Sequence, residues 1–213
     1  MDVDDLIKRY PRLYHMAEAG SWPSIRRHGL LSTSALLDLF EVDGDRRRAI
    51  EAARRPRSVT VEHPQHGKAV IRDQIPLNPT ILARCLIDMT PDEWCETLNR
   101  RVFFWTEEER LVRLLAARAY RDRAHDVLTL DTASLVAAFE PAITLARMNT
   151  GTTVFRAPKR GTETFRSIQD YPFEVHRTVV ELAVDNKVTD VEHHTLRVES
   201  RKGGEVLETI WQA

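Results

Sequence analysis

The chain has 213 residues, 42% of them hydrophobic and 30% charged, with 31 basic residues against 32 acidic ones and a formal charge of −1. That length and balance predict a single globular domain over 1–213 and exclude a disordered chain, a collagen-like repeat and a disulfide-stapled miniprotein. A near-neutral total argues against a dedicated nucleic-acid binder but permits a local basic patch.

In chain order, Leu13-Tyr14-His15 reads as a short strand ending on His15. Ser21-Trp22-Pro23-Ser24 opens a helix that runs to Arg27 or His28 and stops at Gly29, since a polar cap and an early proline suit a helix start. Ser32-Thr33-Ser34 caps another helix beginning near Ala35. The run 46–57 carries six arginines (Arg46, Arg47, Arg48, Arg54, Arg55, Arg57) and one glutamate, a local charge of +5. Its plain reading is a solvated helix face. The alternative is a phosphate-contacting patch for nucleic acid.

Segments 58–62 and 69–71 read as a hairpin across the turn at 63–67. Asn78-Pro79 opens a helix through Ile87, and Thr90-Pro91-Asp92-Glu93 is a capping box with proline at the first helical position. Val102 to Trp105 form a short buried strand, followed by a second capping box at Thr106-Glu107-Glu108-Glu109 and a helix to about Arg121. A strand is expected at 127–130. Residues 149–172, with Gly151, Pro158, Gly161 and Pro172, form the most loop-like stretch, a candidate lid. Strands follow at 178–184, 195–199 and 206–211, the last two joined at Gly203-Gly204. Helices early and strands late, without regular βαβ alternation, indicate α+β.

Several chemistries drop out. Cys85 and Cys95 match no metal-ligand spacing and read as free thiols. With no secretory signal at 1–5 and no apolar run near the roughly 20 residues of a membrane span, a cytoplasmic location is expected. His63-x-x-His66 lies in a turn without a further ligand, so no metal is expected there. His193 and His194 alternate along a strand and point to opposite faces. The chain has no G-x-S-x-G, Walker or G-x-G-x-x-G motif.

What remains is a set of three local patterns. Leu13-Tyr14-His15, followed by a short helix ending Ile25-Arg26-Arg27-His28-Gly29-Leu30, resembles the opening of ADP-ribosyltransferases of the diphtheria-toxin and poly-ADP-ribose polymerase type. Arg101-Val102-Phe103-Phe104-Trp105 is similar to the family's aromatic strand, with Phe or Trp where the family has tyrosine. Val180-Glu181-Leu182-Ala183-Val184-Asp185 resembles the late glutamate strand of DNA-modifying toxins of this type.

The resemblance implies an ADP-ribosyltransferase-like split β core with surrounding helices. It also implies NAD as substrate, held by His15, Phe103, Trp105 and Arg113, with Arg110 nearby, and Glu181 as the catalytic carboxylate. An imidazole can hold a hydroxyl without adding charge, and a fixed anion opposes charge that develops as nicotinamide leaves. By period-2 alternation Phe103 and Trp105 share a face and Phe104 takes the other. The implied activity is NAD-dependent transfer of ADP-ribose to a nucleic-acid or protein acceptor, toxin-like, with an antitoxin as a conceivable partner and no metal. Two rivals share the scaffold: an RNA 2′-phosphotransferase, and a nucleotide- or nucleic-acid-binding module without turnover. Asn149-Thr150-Gly151 is a further candidate for contacting substrate, on turn chemistry alone.

Overall fold

The computed structural model describes residues 1–154, 157–172 and 178–213. Asp2 accepts from the Asp4 amide and starts α1 (Val3–Arg9), which leads to β1 (Arg12–Glu18), α2 (Trp22–His28), β2 (Leu30–Leu31) and α3 (Thr33–Leu39). Next come α4 (Gly44–Glu51), the hairpin of β3 (Val59–His63) and β4 (Gly67–Ile71), α5 (Pro79–Cys85) and α6 (Pro91–Asn99). β5 (Arg101–Trp105), α7 (Glu108–Leu115), β6 (Ala124–Asp131), α8 (Thr132–Phe139) and β7 (Ile143–Ala146) follow. The last elements are β8 (Glu181–Asp185), β9 (Lys187–Val188), α9 (Val191–His194), β10 (Thr195–Lys202) and β11 (Glu205–Gln212). The fold is α+β.

Side-chain caps set the helix starts. Ser32 accepts from the Ala35 amide and Asn78 from the Ile81 amide, while Thr90 and Glu93 close a reciprocal box. Each satisfies a backbone donor that the first helical turn leaves free. α2 stops at Gly29, whose φ is +84°, and a Cβ there would meet the Val188 carbonyl oxygen at 2.4 Å. Only glycine fits that turn.

Other expectations are corrected. The Thr106 hydroxyl donates to the Val179 carbonyl at 2.7 Å, and α7 begins one residue later than expected, from an uncapped Glu107, and ends at Leu115. α5 ends at Cys85, short of Ile87. The strand expected from 178 begins at Glu181, since the Val179 amide donates to the Tyr10 hydroxyl and not to a neighbouring strand. His15 lies inside β1, not at its end. His193 and His194 occupy the turn of α9, with ring centroids 5.2 Å apart, rather than opposite faces of a strand. Within the expected loop 149–172, residues 155 and 156 lie outside the described residues.

A seven-stranded antiparallel sheet runs in the order β11-β10-β6-β1-β5-β8-β7. One face packs Phe104, Leu128, Leu130 and Leu182 against α1 and α8 through Leu6, Tyr10 and Leu135. The other packs Tyr14, Met16 and Val127 against Leu111 and Leu115 of α7. Two smaller clusters flank the sheet. One joins α3, α4 and the hairpin through Leu37, Phe40, Ile50 and Val61, and the other joins α5 and α6 through Leu82 and Trp94. No described helix is long and apolar enough to cross a membrane.

Candidate active site

The site begins with a gap in the sheet. β1 pairs with β6 along its whole length, and β5 with β8 along its whole length. Between β1 and β5 one pair forms, Tyr14 with Trp105. Beyond it the two strands part, and a cleft of about 510 Å³ opens there, lined by His15, Phe103, Trp105, Thr150 and Glu181 together with residues of α2, β2 and β4.

His15 and Glu181 are not on adjacent strands, because β5 runs between theirs. The register puts Tyr14, Trp105 and Glu181 in one cross-strand row, so His15 belongs to the alternate pleat of β1. It still reaches the cleft, because the strands have parted by that point. Its Nδ1 donates to the Phe103 carbonyl at 2.8 Å, across the gap. A carbonyl only accepts, so the neutral ring carries its proton on Nδ1 and keeps Nε2 as a bare acceptor. Burial pulls the imidazole pKa down to about 4, the nearby Arg72 charge pulls the same way, and the bond to Phe103 opposes them. At neutral pH His15 is uncharged.

The aromatic strand divides as its alternation requires. Phe104 is fully buried in the central core, while Phe103 and Trp105 are half-buried and line the cleft. Phe165 packs on Phe103 with centroids 6.0 Å apart.

Glu181 is 5% exposed, between Val180 and Leu182. Among the described residues, both hydrogen bonds to its side chain end on Oε2: the Thr150 amide at 3.1 Å and the Thr150 hydroxyl at 2.7 Å. Behind Thr150, the buried Arg160 donates from Nη1 to the carbonyls of Thr150 at 3.0 Å and Thr152 at 2.9 Å. Its guanidinium lies 5.6 Å from the Trp94 ring centroid. Burial pushes the Glu181 carboxyl up to about 7, against the Thr150 bonds and the Arg160 charge, which favour the anion. Burial therefore dominates how readily this carboxyl ionises, with Thr150, Arg160 and Arg110 offsetting it. Turn chemistry pointed to Thr150 but not to its partner, and nothing in the sequence marked Arg160.

Other sequence candidates lie elsewhere. Arg113 is on the exposed face of α7 and does not line the cleft, while Arg110 pairs with Glu107 at 2.7 Å yet is near enough for its charge to favour the Glu181 anion. In the basic run, Arg55 is buried and donates to the Ile50 and Arg72 carbonyls and to Asn99. Arg54 donates to the Gln74 and Ile75 carbonyls, and Arg47 pairs with Asp38 and Glu51. Arg46, Arg48 and Arg57 are exposed, so the run does not present six free cations together. His63 and His66 stack at 4.6 Å and pack on Phe40 and His28, so the turn they occupy is docked rather than merely solvated. No metal-holding group occurs among the described residues, and Cys85 and Cys95 are free and buried.

A search of curated proteins returns no match. A family model matches residues 11–195, a span that takes in β1, the aromatic strand and Glu181. The chain belongs to that family, described as a family of unknown function (DUF7002).

Proposed function

We propose that the chain is an NAD-dependent ADP-ribosyltransferase, acting on a nucleic-acid or protein acceptor. The observation that carries this reading is the parting of β1 from β5, where one cleft gathers a neutral histidine, an aromatic wall and a buried, hydrogen-bonded carboxyl. A parting of the sheet at that point supports the reading, because the resemblance to ADP-ribosyltransferases implies a split β core. A cleft of about 510 Å³ lies within the range of pockets that hold cofactor-sized ligands.

NAD would supply a ribosyl group bonded to a good leaving group. The bond from ribose to nicotinamide breaks, and one to the acceptor nucleophile forms. His15 offers Nε2 to a ribose hydroxyl, Trp105 and Phe103 offer flat surface to the nicotinamide ring, and anionic Glu181 opposes the positive charge that builds on the sugar. Since Glu181 acts as the anion and its pKa is about 7, the rate should rise with pH through about 7.

Thermal unfolding with added NAD tests binding, because a ligand of the native state alone raises the unfolding free energy by RT ln(1 + [L]/Kd). Millimolar NAD should raise the midpoint. Glu181→Gln should keep that shift while nicotinamide release falls by about 100-fold or more. An unmoved midpoint, or equal release from wild type and variant, would overturn the reading.

A further inference from the structure

The same cleft has a second polar end. β1 finishes there with Glu18, which pairs in register with the fully buried His125 of β6. His125 meets the Tyr120 ring edge-on at 6.1 Å, and the Arg72 guanidinium lies 5.1 Å from the centroid of that ring. Glu18, Arg72, Asp73 and Tyr120 all line the cleft.

Asp73 is already satisfied. It accepts from the Tyr120 hydroxyl at 2.8 Å and faces Arg123 at 3.5 Å. Glu18 and Arg72 are different. No hydrogen bond or ion pair joins either side chain to any described residue, or to the other, and Glu18 Oε2 and Arg72 Nε are buried without a partner. Burial strips water from the Arg72 guanidinium, and a buried polar atom without a partner on either side chain is costly to keep. Their charges cancel, as do those of Asp73 and Arg123, so the subsite has no net charge to attract an anion. What it lacks is one acceptor for Arg72 and one donor for Glu18.

We infer that Glu18 and Arg72 form a subsite for a neutral planar group with a hydrogen-bond donor and acceptor on neighbouring atoms, the edge shared by nucleobases and carboxamides. The carboxylate takes the N–H and the guanidinium gives to the C=O, so one bound edge supplies a partner to both side chains at once. Recognition by buried polar pairs is strict, because an analogue without the matching group leaves both unsatisfied. This does not depend on NAD binding, since the subsite is defined by residues other than His15 and Glu181.

Calorimetric titration of the full chain with inosine, which carries the amide edge, and purine riboside, which lacks it, tests the inference. N-acetylglutamine amide serves as the carboxamide arm and pyrophosphate as the anion arm. Inosine or the carboxamide should bind, inosine at least tenfold more tightly than purine riboside if the source is a base. Glu18→Met and Arg72→Met should each weaken binding of the amide by about tenfold and bring any nucleoside discrimination below about threefold, with Arg72→Lys as a milder second variant and circular dichroism to show that each folds. Equal binding of the two nucleosides without binding of the carboxamide, no binding of either amide at millimolar concentration, tighter pyrophosphate binding lost in Arg72→Met, or amide binding unchanged in both variants would each overturn the inference.

Discussion

At the residue scale, Glu181 and His15 make opposite demands on pH. The unfolded chain releases the Glu181 proton near 4.5 and the folded chain near 7, so the stability gained by keeping it neutral is full below 4.5, falls away between the two values and is gone above 7. His15, neutral in the folded chain down to about 4, contributes stability that is full above 6.5 and lost as pH falls toward 4. The two slopes oppose each other in wild type. Glu181→Gln removes one of them, so urea unfolding should show the variant gaining about 3 kcal/mol over wild type between pH 4.5 and 8. A constant difference across that range would contradict the burial of an ionisable carboxyl.

Thr150→Val takes away the hydroxyl that favours the anion. The ionisation of Glu181, read from the same stability slope or from the acid limb of nicotinamide release, should move up by roughly one pH unit, while Thr150→Ser leaves it in place. The sequence exposed Glu181, because a carboxylate in an apolar strand is conspicuous. It did not show Thr150 and Arg160 acting on it, since their contact depends on the path of a loop with no periodic pattern.

At the element scale, local chemistry governed wherever a side chain had no better partner. The caps at Ser32, Asn78 and Thr90 were readable for that reason. The expected box at Thr106 failed because the helix starts one residue later, after Glu107, leaving Thr106 outside it and tied to the distant Val179 carbonyl. β7 and β9 gave no usable signal, being short stretches fixed by their neighbours in the sheets. Gly29 shows both kinds of information meeting. Its stop signal is local, but the close approach of Val188 is tertiary. Gly29→Ala should cost roughly 3 kcal/mol or more in urea unfolding, combining a strained backbone with a contact the β2–β9 pair cannot relieve. Gly20→Ala, at φ +80° with nothing within 4 Å of the new Cβ, should cost only about 1 kcal/mol.

For the whole molecule, the class was legible because hydrophobic periodicity separates helices from strands without knowledge of contacts. The order of the strands was not, since no local pattern states that β1 lies between β6 and β5. That order also fixes when the cleft can exist. β1 is synthesised early, but the strands on its two sides come much later, and β5 pairs in full only with β8, which begins with Glu181 itself. A chain growing from its N-terminus therefore carries His15 before either flanking strand has been made, and the Glu181 carboxylate follows both of them. Translation thus acts as a timer: the histidine waits on its strand, and the walls of the cleft come together only once the late strand has taken its place.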